Sequence, residues 1–201
     1  MVTVGDSMIK IYTRLITSIL IVIFVYDCAG GPYKKMSIEN PEKLLSIQDS
    51  LLKTKKNDVK ILDAIVSANN RVAEKHMVQG DYISAADHFK KATELSASDV
   101  VSKYGLLLAD GNVLVKKGNK NGIWDAIEKY SKAATLYPKN GEPFYWMAIA
   151  YTKLGDTDFD LILESYEKAM SLDLKNELRA EAEKKHKHAK ERKNKLDSFW
   201  K

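Results

Sequence analysis

A short pattern that occurs three times along the chain constrains its fold more than any other feature. Each copy has a glycine, followed by a segment in which small and aromatic residues recur at helical spacing. Repetition of this kind is typical of proteins built from similar units that pack on their neighbours. The copies are Gly80 with Ala85, Phe89, Ala92 and Leu95; Gly118 with Ala126, Tyr130, Ala133, Leu136 and Pro138; and Gly155 with Ile162, Tyr166, Ala169 and Leu172.

A second helical pattern precedes each glycine. A small residue stands seven positions earlier, at Ala73, Gly111 and Ala148. Small residues let two helices approach closely, and a glycine after the first helix can adopt the left-handed conformation that ends it. The sequence therefore predicts three helical hairpins, over residues 66–99, 104–140 and 141–176.

These residues resemble the tetratricopeptide repeat family. The resemblance implies an all-α superhelix of stacked antiparallel helical hairpins that binds a protein or peptide in its concave groove and catalyses no reaction. Residues on the first helix of each hairpin line that groove in the family. Carried over to this chain, they are Asn70, Glu74, Met77, Leu108, Asn112, Lys116, Glu142, Tyr145, Ile149 and Lys153.

The repeats depart from a regular spacing at three places. Extra residues occur near Asn119 to Gly122, near Thr157 to Asp160 and around Ala97 to Ser102, and they predict longer helices or loops there. Ile162 also stands where a small residue is usual, and Asp110 stands where an apolar residue is expected.

Helices are also predicted on both sides of the repeats. Asn40 and Pro41 open a helix over PEKLLSIQDSLLK, because proline is favoured in the first turn, and a long helix follows Asp58. The helical domain is therefore predicted over 39–176. A charged helix over 177–201 is expected to cap the stack, with an apolar side formed by Leu178, Ala182, Ala189, Leu196 and Trp200.

The first 27 residues have the pattern of a signal peptide or membrane anchor. Twelve uncharged residues run from Leu15 to Tyr26 and follow Lys10 and Arg14. A helix of that length covers about 18 Å, whereas a bilayer core is about 30 Å thick, so the block suits an export signal better than a span.

Cys28, followed by a small residue and two glycines, resembles the cysteine of a bacterial lipoprotein signal, although Tyr26 and Asp27 depart from that pattern. The resemblance implies a lipid anchor on Cys28. An uncleaved anchor helix and a plain free thiol remain alternatives. Residues 28–38 are expected to form a linker, with 29–36 having no fold of their own.

The positive charge of the chain is concentrated at its end. Residues 175–201 contain ten basic and five acidic residues, so their net charge of +5 equals that of the whole chain. The preceding part is balanced, which disfavours a general nucleic-acid binder. His186 and His188 are two positions apart on a predicted helix, so they point to different sides and do not suit a shared metal.

No catalytic or phosphate-binding motif occurs, so we expect no enzyme activity, no cofactor, no metal and no small-molecule substrate. The sequence favours a non-enzymatic scaffold or adaptor that binds a protein or peptide and assists assembly of a bacterial cell-envelope complex. Its repeat domain would lie outside the cytoplasm, at the periplasmic face of the outer membrane. The alternatives are a signal-anchored component that self-associates, and a binder of nucleic acid or anionic membranes through the basic C-terminal helix.

Overall fold

The computed structural model describes residues 31–155 and 158–200, which form ten α-helices and no β-strand. The expected leader over 1–27 and Cys28 lie outside the described residues. Within those two ranges, no helix is both long and apolar enough to cross a bilayer. The chain divides into two compact units after Ala68.

The first unit contains three short helices and the start of a long one. Helix α1 contacts α2, and α2 contacts α3. As predicted, Pro41 lies in the first turn of α2, where the Asn40 side chain accepts a hydrogen bond from the backbone N–H of Lys43 at 3.2 Å. The helices are α1 (Gly31–Glu39), α2 (Pro41–Ser46), α3 (Gln48–Thr54) and α4 (Val59–Gln79).

Two predictions for this unit were wrong. The expected linker is helical from Gly31 onward, and Ser37 is fully buried while its hydroxyl donates to the Lys34 carbonyl at 2.8 Å. The single helix expected after Pro41 is broken at Ile47, whose N–H bonds to the Leu44 carbonyl three residues earlier in a tighter turn. Local burial and hydrogen bonding of this kind leave no periodic signal in the sequence.

The second unit contains the end of α4 and six further helices. From α5 onward each helix contacts the next, and α8 also contacts both α6 and α10. Each of the three segments predicted as hairpins therefore contains two helices. The helices are α5 (Tyr82–Leu95), α6 (Val100–Lys117), α7 (Lys120–Leu136), α8 (Glu142–Leu154), α9 (Phe159–Ser171) and α10 (Asn176–Phe199).

The glycines that follow α4, α6 and α8 all have positive φ angles. Gly118 has the predicted left-handed conformation, whereas Gly155, with a ψ of −174°, does not. The three φ angles are +72° at Gly80, +76° at Gly118 and +112° at Gly155, in the range that favours glycine. After Gly118, the Asn119 side chain accepts a hydrogen bond from the N–H of Gly122 at 2.7 Å. The extra residues of this repeat therefore form the first turn of a lengthened α7, as expected.

The aromatic residue of each repeat lies in the core. Phe89, Tyr130 and Tyr166 are at most 3% exposed. Ile162, which replaces a small residue in the third repeat, is also fully buried. Asp110, found where an apolar residue was expected, pairs with Lys129 at 3.1 Å on the partly exposed side of α6.

Helix α10 packs antiparallel to α9 over much of its length. Arg179, near the start of α10, donates to two carbonyls at the end of α9, whereas Lys193 reaches Asp160 near its beginning at 2.5 Å. Ala182 and Ala189 are buried against the last helix pair, which confirms the predicted apolar contact. The prediction was wrong for the end of the helix, because Leu196 and Trp200 are 41% and 77% exposed.

Candidate partner-binding surface

Four of the ten residues predicted to line a groove are buried. Asn70 is 8% exposed, and Leu108, Asn112 and Tyr145 are each 2% exposed. Their contacts lie within the protein, so these side chains offer little surface to another molecule. The remaining six are exposed or half-buried: Glu74, Lys116 and Lys153 are exposed, and Met77, Glu142 and Ile149 are half-buried.

The Asn70 side chain joins α4 to the beginning of α6. Its amide group donates to the Asp99 carboxylate at 3.0 Å, and its carbonyl oxygen accepts from the Ser102 hydroxyl at 2.8 Å. Asp99 in turn caps α6 by accepting from the N–H of Ser102 at 2.8 Å. Asn70 therefore holds two helix pairs together through a buried polar network.

Asn112 lies deeper in the same unit. Its carbonyl oxygen accepts a hydrogen bond from the Tyr130 hydroxyl at 2.6 Å, and its amide nitrogen has no hydrogen-bond partner among the described residues. An unsatisfied buried donor costs about 1–3 kcal/mol. Asn112 is buried, so it holds the Tyr130 hydroxyl within the core and does not contact a partner directly.

Aromatic side chains from two helix pairs meet beside Lys116. The rings of Tyr82, at the start of α5, and Trp146, on α8, are 6.2 Å apart and nearly perpendicular. Trp146 also packs edge-on against Tyr145 at 5.0 Å. The Lys116 ammonium lies 5.9 Å from the centre of the Tyr82 ring and 3.4 Å from the Gly80 carbonyl. Tyr82 and Trp146 are only half-buried, so part of each residue is accessible to another molecule.

Glu181 of α10 completes this group with a negative charge. Burial, and then the nearby Glu181 carboxylate, raise the pKa of Tyr82. Burial and a hydrogen bond with Glu181 also raise the pKa of Tyr145. Both phenols therefore stay protonated at neutral pH and can donate hydrogen bonds, but they do not act as bases. We name the half-buried and exposed members of this group, Tyr82, Lys116, Trp146 and Glu181, the aromatic surface.

Of these four residues, only Lys116 was predicted from the sequence to contact a partner. Tyr82 follows the repeat motif Gly80-Asp81 directly, and Trp146 belongs to the aromatic run at 144–146, so both carried a local signal. Glu181 carried none, because it is one acidic residue among many on a charged helix. Its place beside Tyr82 depends on packing between helices about one hundred residues apart.

A cavity of about 760 Å³ lies elsewhere, between the loop before α8 and the loop before α10. The loops are joined by hydrogen bonds from Gly141 N–H to the Asp173 carbonyl at 2.7 Å and from Asp173 N–H to the Lys139 carbonyl at 2.9 Å. Arg179, which lines the cavity, donates to the Met170 and Leu172 carbonyls at 2.6 and 3.0 Å. These polar groups hold the end of α9 and the two loops together.

The histidines do not gather into a metal site. His186 lies 3.1 Å from Glu167, whereas His188 is exposed, which agrees with their predicted placement on different sides of α10. In the part of the chain that the structure describes, no three His, Cys, Asp or Glu side chains are arranged to hold a metal ion.

The described part of the chain is all-helical, and its neighbouring helix pairs bring two partly exposed aromatic side chains together beside a cation and a carboxylate. The sequence matches no protein-family model, and it matches no curated protein.

Proposed function

We propose that this chain is a non-enzymatic adaptor of the tetratricopeptide type that binds a segment of another protein at its aromatic surface. Three features support the repeat assignment: consecutive helix pairs, a positive-φ glycine after the first helix of each pair, and a buried aromatic ring at the same place in each repeat. Contacts of α8 with α6 and α10 also fit stacking of successive repeats.

The observation that carries the binding proposal is the exposure of Tyr82 and Trp146. Aromatic side chains with one open side are enriched at the centres of protein interfaces, where they contribute a large share of the binding energy. Lys116 and Glu181 lie beside them with opposite charges, which suits the polar backbone and mixed charges of a peptide better than a purely apolar ligand. Glu142 extends the surface on α8, since its carboxylate accepts a hydrogen bond from the Trp146 indole N–H at 3.4 Å.

The proposed location is the bacterial cell envelope, with the helical domain held at a membrane by an acylated Cys28. This part of the proposal is supported by the uncharged block from Leu15 to Tyr26 and the residues after Cys28. Two or more acyl chains give stable anchoring.

The intact mass of protein extracted from membranes tests whether Cys28 is acylated. A lipid-modified Cys28 at the N-terminus is expected, and an unmodified full-length chain would contradict the proposed anchor.

Replacing Tyr82 and Trp146 by alanine is expected to abolish most partner capture from solubilised envelopes. Truncation of an aromatic residue central to an interface typically costs at least about 2 kcal/mol, so the double variant should bind at least about thirtyfold more weakly. The measurement is quantitative pull-down with wild type and variant at equal concentration, with circular dichroism to show equal helix content.

Trp124→Ala provides the matched control. Trp124 is 46% exposed on α7 and packs edge-on against Tyr151, so its removal also deletes an exposed indole. Capture should survive this change. Equal loss in both variants, or undiminished capture by the Tyr82/Trp146 variant, would contradict the assignment. Capture of nothing except copies of the chain would favour the self-associating component instead.

A further inference from the structure

The last two turns of α10 carry an apolar face that nothing in the described structure covers. The side of α10 that packs on α9 includes Ala182 and Ala189, and at helical spacing the same side continues to Leu196 and Trp200. Helix α9 begins at Phe159, so α10 runs beyond it after Lys193. All residues from 194 to 200 are exposed.

Two aromatic rings stand at this tip. Phe199 and Trp200 are each 77% exposed, and their ring centres lie 5.4 Å apart in an edge-on arrangement. Leu196, which is 41% exposed, lies one turn earlier. The tip extends about 10 Å past Lys193 at the helical rise of about 1.5 Å per residue. It therefore offers a small apolar wedge that projects past the helix on which α10 packs.

The helix leading to this wedge is strongly basic. Residues 184–195 contain seven basic residues and one acidic residue. Lys193 is paired with Asp160, and the Arg192 guanidinium lies over the Phe159 ring at 5.4 Å. Lys184, Lys187, Lys190 and Lys195 are exposed to solvent. Lys190 and Lys195 lie closest to the wedge along the helix, so a surface that receives the wedge also meets positive charge.

We propose that the end of α10 is a docking element for an anionic phospholipid surface, with Leu196, Phe199 and Trp200 inserted at the interface and the exposed lysines on the headgroups. Tryptophan and phenylalanine favour the membrane–water boundary, and each lysine near an anionic surface adds about 1 kcal/mol of attraction. Single-stranded nucleic acid would use the lysines and stack bases on the two rings, but it offers no apolar phase to Leu196. A second copy of the chain would bring two basic helices together.

This proposal is independent of partner binding at the aromatic surface. The test follows the fluorescence of Trp200 in the full-length chain. Binding of the whole protein to vesicles would not be informative, because the uncharged block from Leu15 to Tyr26 is expected to associate with vesicles of any charge. Trp124→Phe and Trp146→Phe leave Trp200 as the only tryptophan. The protein is mixed with vesicles of brominated phosphatidylcholine, with or without phosphatidylglycerol, at low salt.

In vesicles that contain phosphatidylglycerol, the Trp200 emission should shift to shorter wavelength and be quenched by bromine. In neutral vesicles it should stay close to its value in buffer. A protein that retains only Trp124 should show no such change in either. Absence of quenching in anionic vesicles, or equal quenching in neutral ones, would overturn the proposal. A Trp200 response to single-stranded DNA but not to anionic vesicles would overturn it in favour of nucleic acid.

A second variant tests the contribution of charge without altering the wedge. Lys187→Gln and Lys190→Gln together should raise the anionic lipid concentration at half-maximal quenching by roughly fivefold for each lysine removed. The matched control, Lys90→Gln and Lys91→Gln, removes two exposed lysines from α5 and should leave it unchanged. If both double substitutions changed this lipid concentration equally, the assignment of the headgroup contacts to α10 would be overturned.

Discussion

Replacing Gly111 by alanine should destabilise the protein, although alanine is the better helix former by about 1 kcal/mol. A β-carbon at this position would lie 2.4 Å from Cε1 of Tyr130, well inside van der Waals contact. The Tyr130 ring is fully buried, and its hydroxyl is bonded to Asn112, so the ring cannot move without breaking that bond. Because overpacking typically costs about 1–3 kcal/mol, we expect a net loss in the free energy of unfolding, measured by chemical denaturation.

A double-mutant cycle separates this steric effect from other causes. Tyr130→Leu removes the ring that the new methyl group would strike, so Gly111→Ala should cost less in that background than in the wild type. Gly105→Ala offers a second instance, since its β-carbon would lie 2.3 Å from the buried Phe89 ring between α5 and α6. If either alanine variant were more stable than the wild type, the close approach of these helices would be contradicted.

Replacing Asn70 by alanine should lower the free energy of unfolding by about 1–3 kcal/mol, because both the Asp99 carboxylate and the Ser102 hydroxyl lose a partner. This side chain stabilises both the contact of α4 with α6 and the N-terminal cap of α6. The measurement is chemical denaturation monitored by circular dichroism. Asn121→Ala on α7, an exposed position, serves as the control and should be close to neutral.

The loss of stability at low pH tests the role of Asn70 independently. Burial raises the pKa of Asp99, but hydrogen bonds from Ser102 and Asn70 outweigh it and leave the pKa below its ordinary value. Asp99 therefore contributes stability above its unfolded pKa, and this is lost as the pH falls through the folded value. The Asn70→Ala variant should therefore lose less stability than the wild type as the pH falls through that range. If the variant kept wild-type stability but lost partner capture, Asn70 would be a binding residue after all.

The fold was predictable wherever local chemistry decides the outcome. The bounds of α4, the glycines after α4, α6 and α8, and the start of α2 at Pro41 all follow from capping and turn preferences that a short stretch of sequence carries. Helix α1 was missed, because its sequence has no amphipathic period and its one fully buried residue, Ser37, is polar. The break at Ile47 was missed for a similar reason, since no glycine or proline marks it.

The site was less predictable, because repeat register gives the side of a helix and not the depth of a residue. Asn70 and Tyr145 occupy groove positions by register, yet each is buried. Asn70 is buried where α4 meets the beginning of α6, and there it bonds to Asp99 and Ser102. These partners are about thirty residues further along the chain, so no local pattern around Asn70 indicates its burial. The neighbour of Tyr145, Trp146, is the residue that stays partly exposed. Depth depends on contacts between helices that the repeat pattern does not encode.

Site-specific photo-crosslinking in intact cells tests most directly whether the aromatic surface holds another protein. A benzophenone side chain placed at Trp146 should yield one dominant adduct with a different protein, and the same adduct should form from Tyr82. Placed at Trp124 on α7, it should not form that adduct. Identical adducts from all three positions, or none from Trp146 and Tyr82 in a folded protein, would contradict a binding surface at this place.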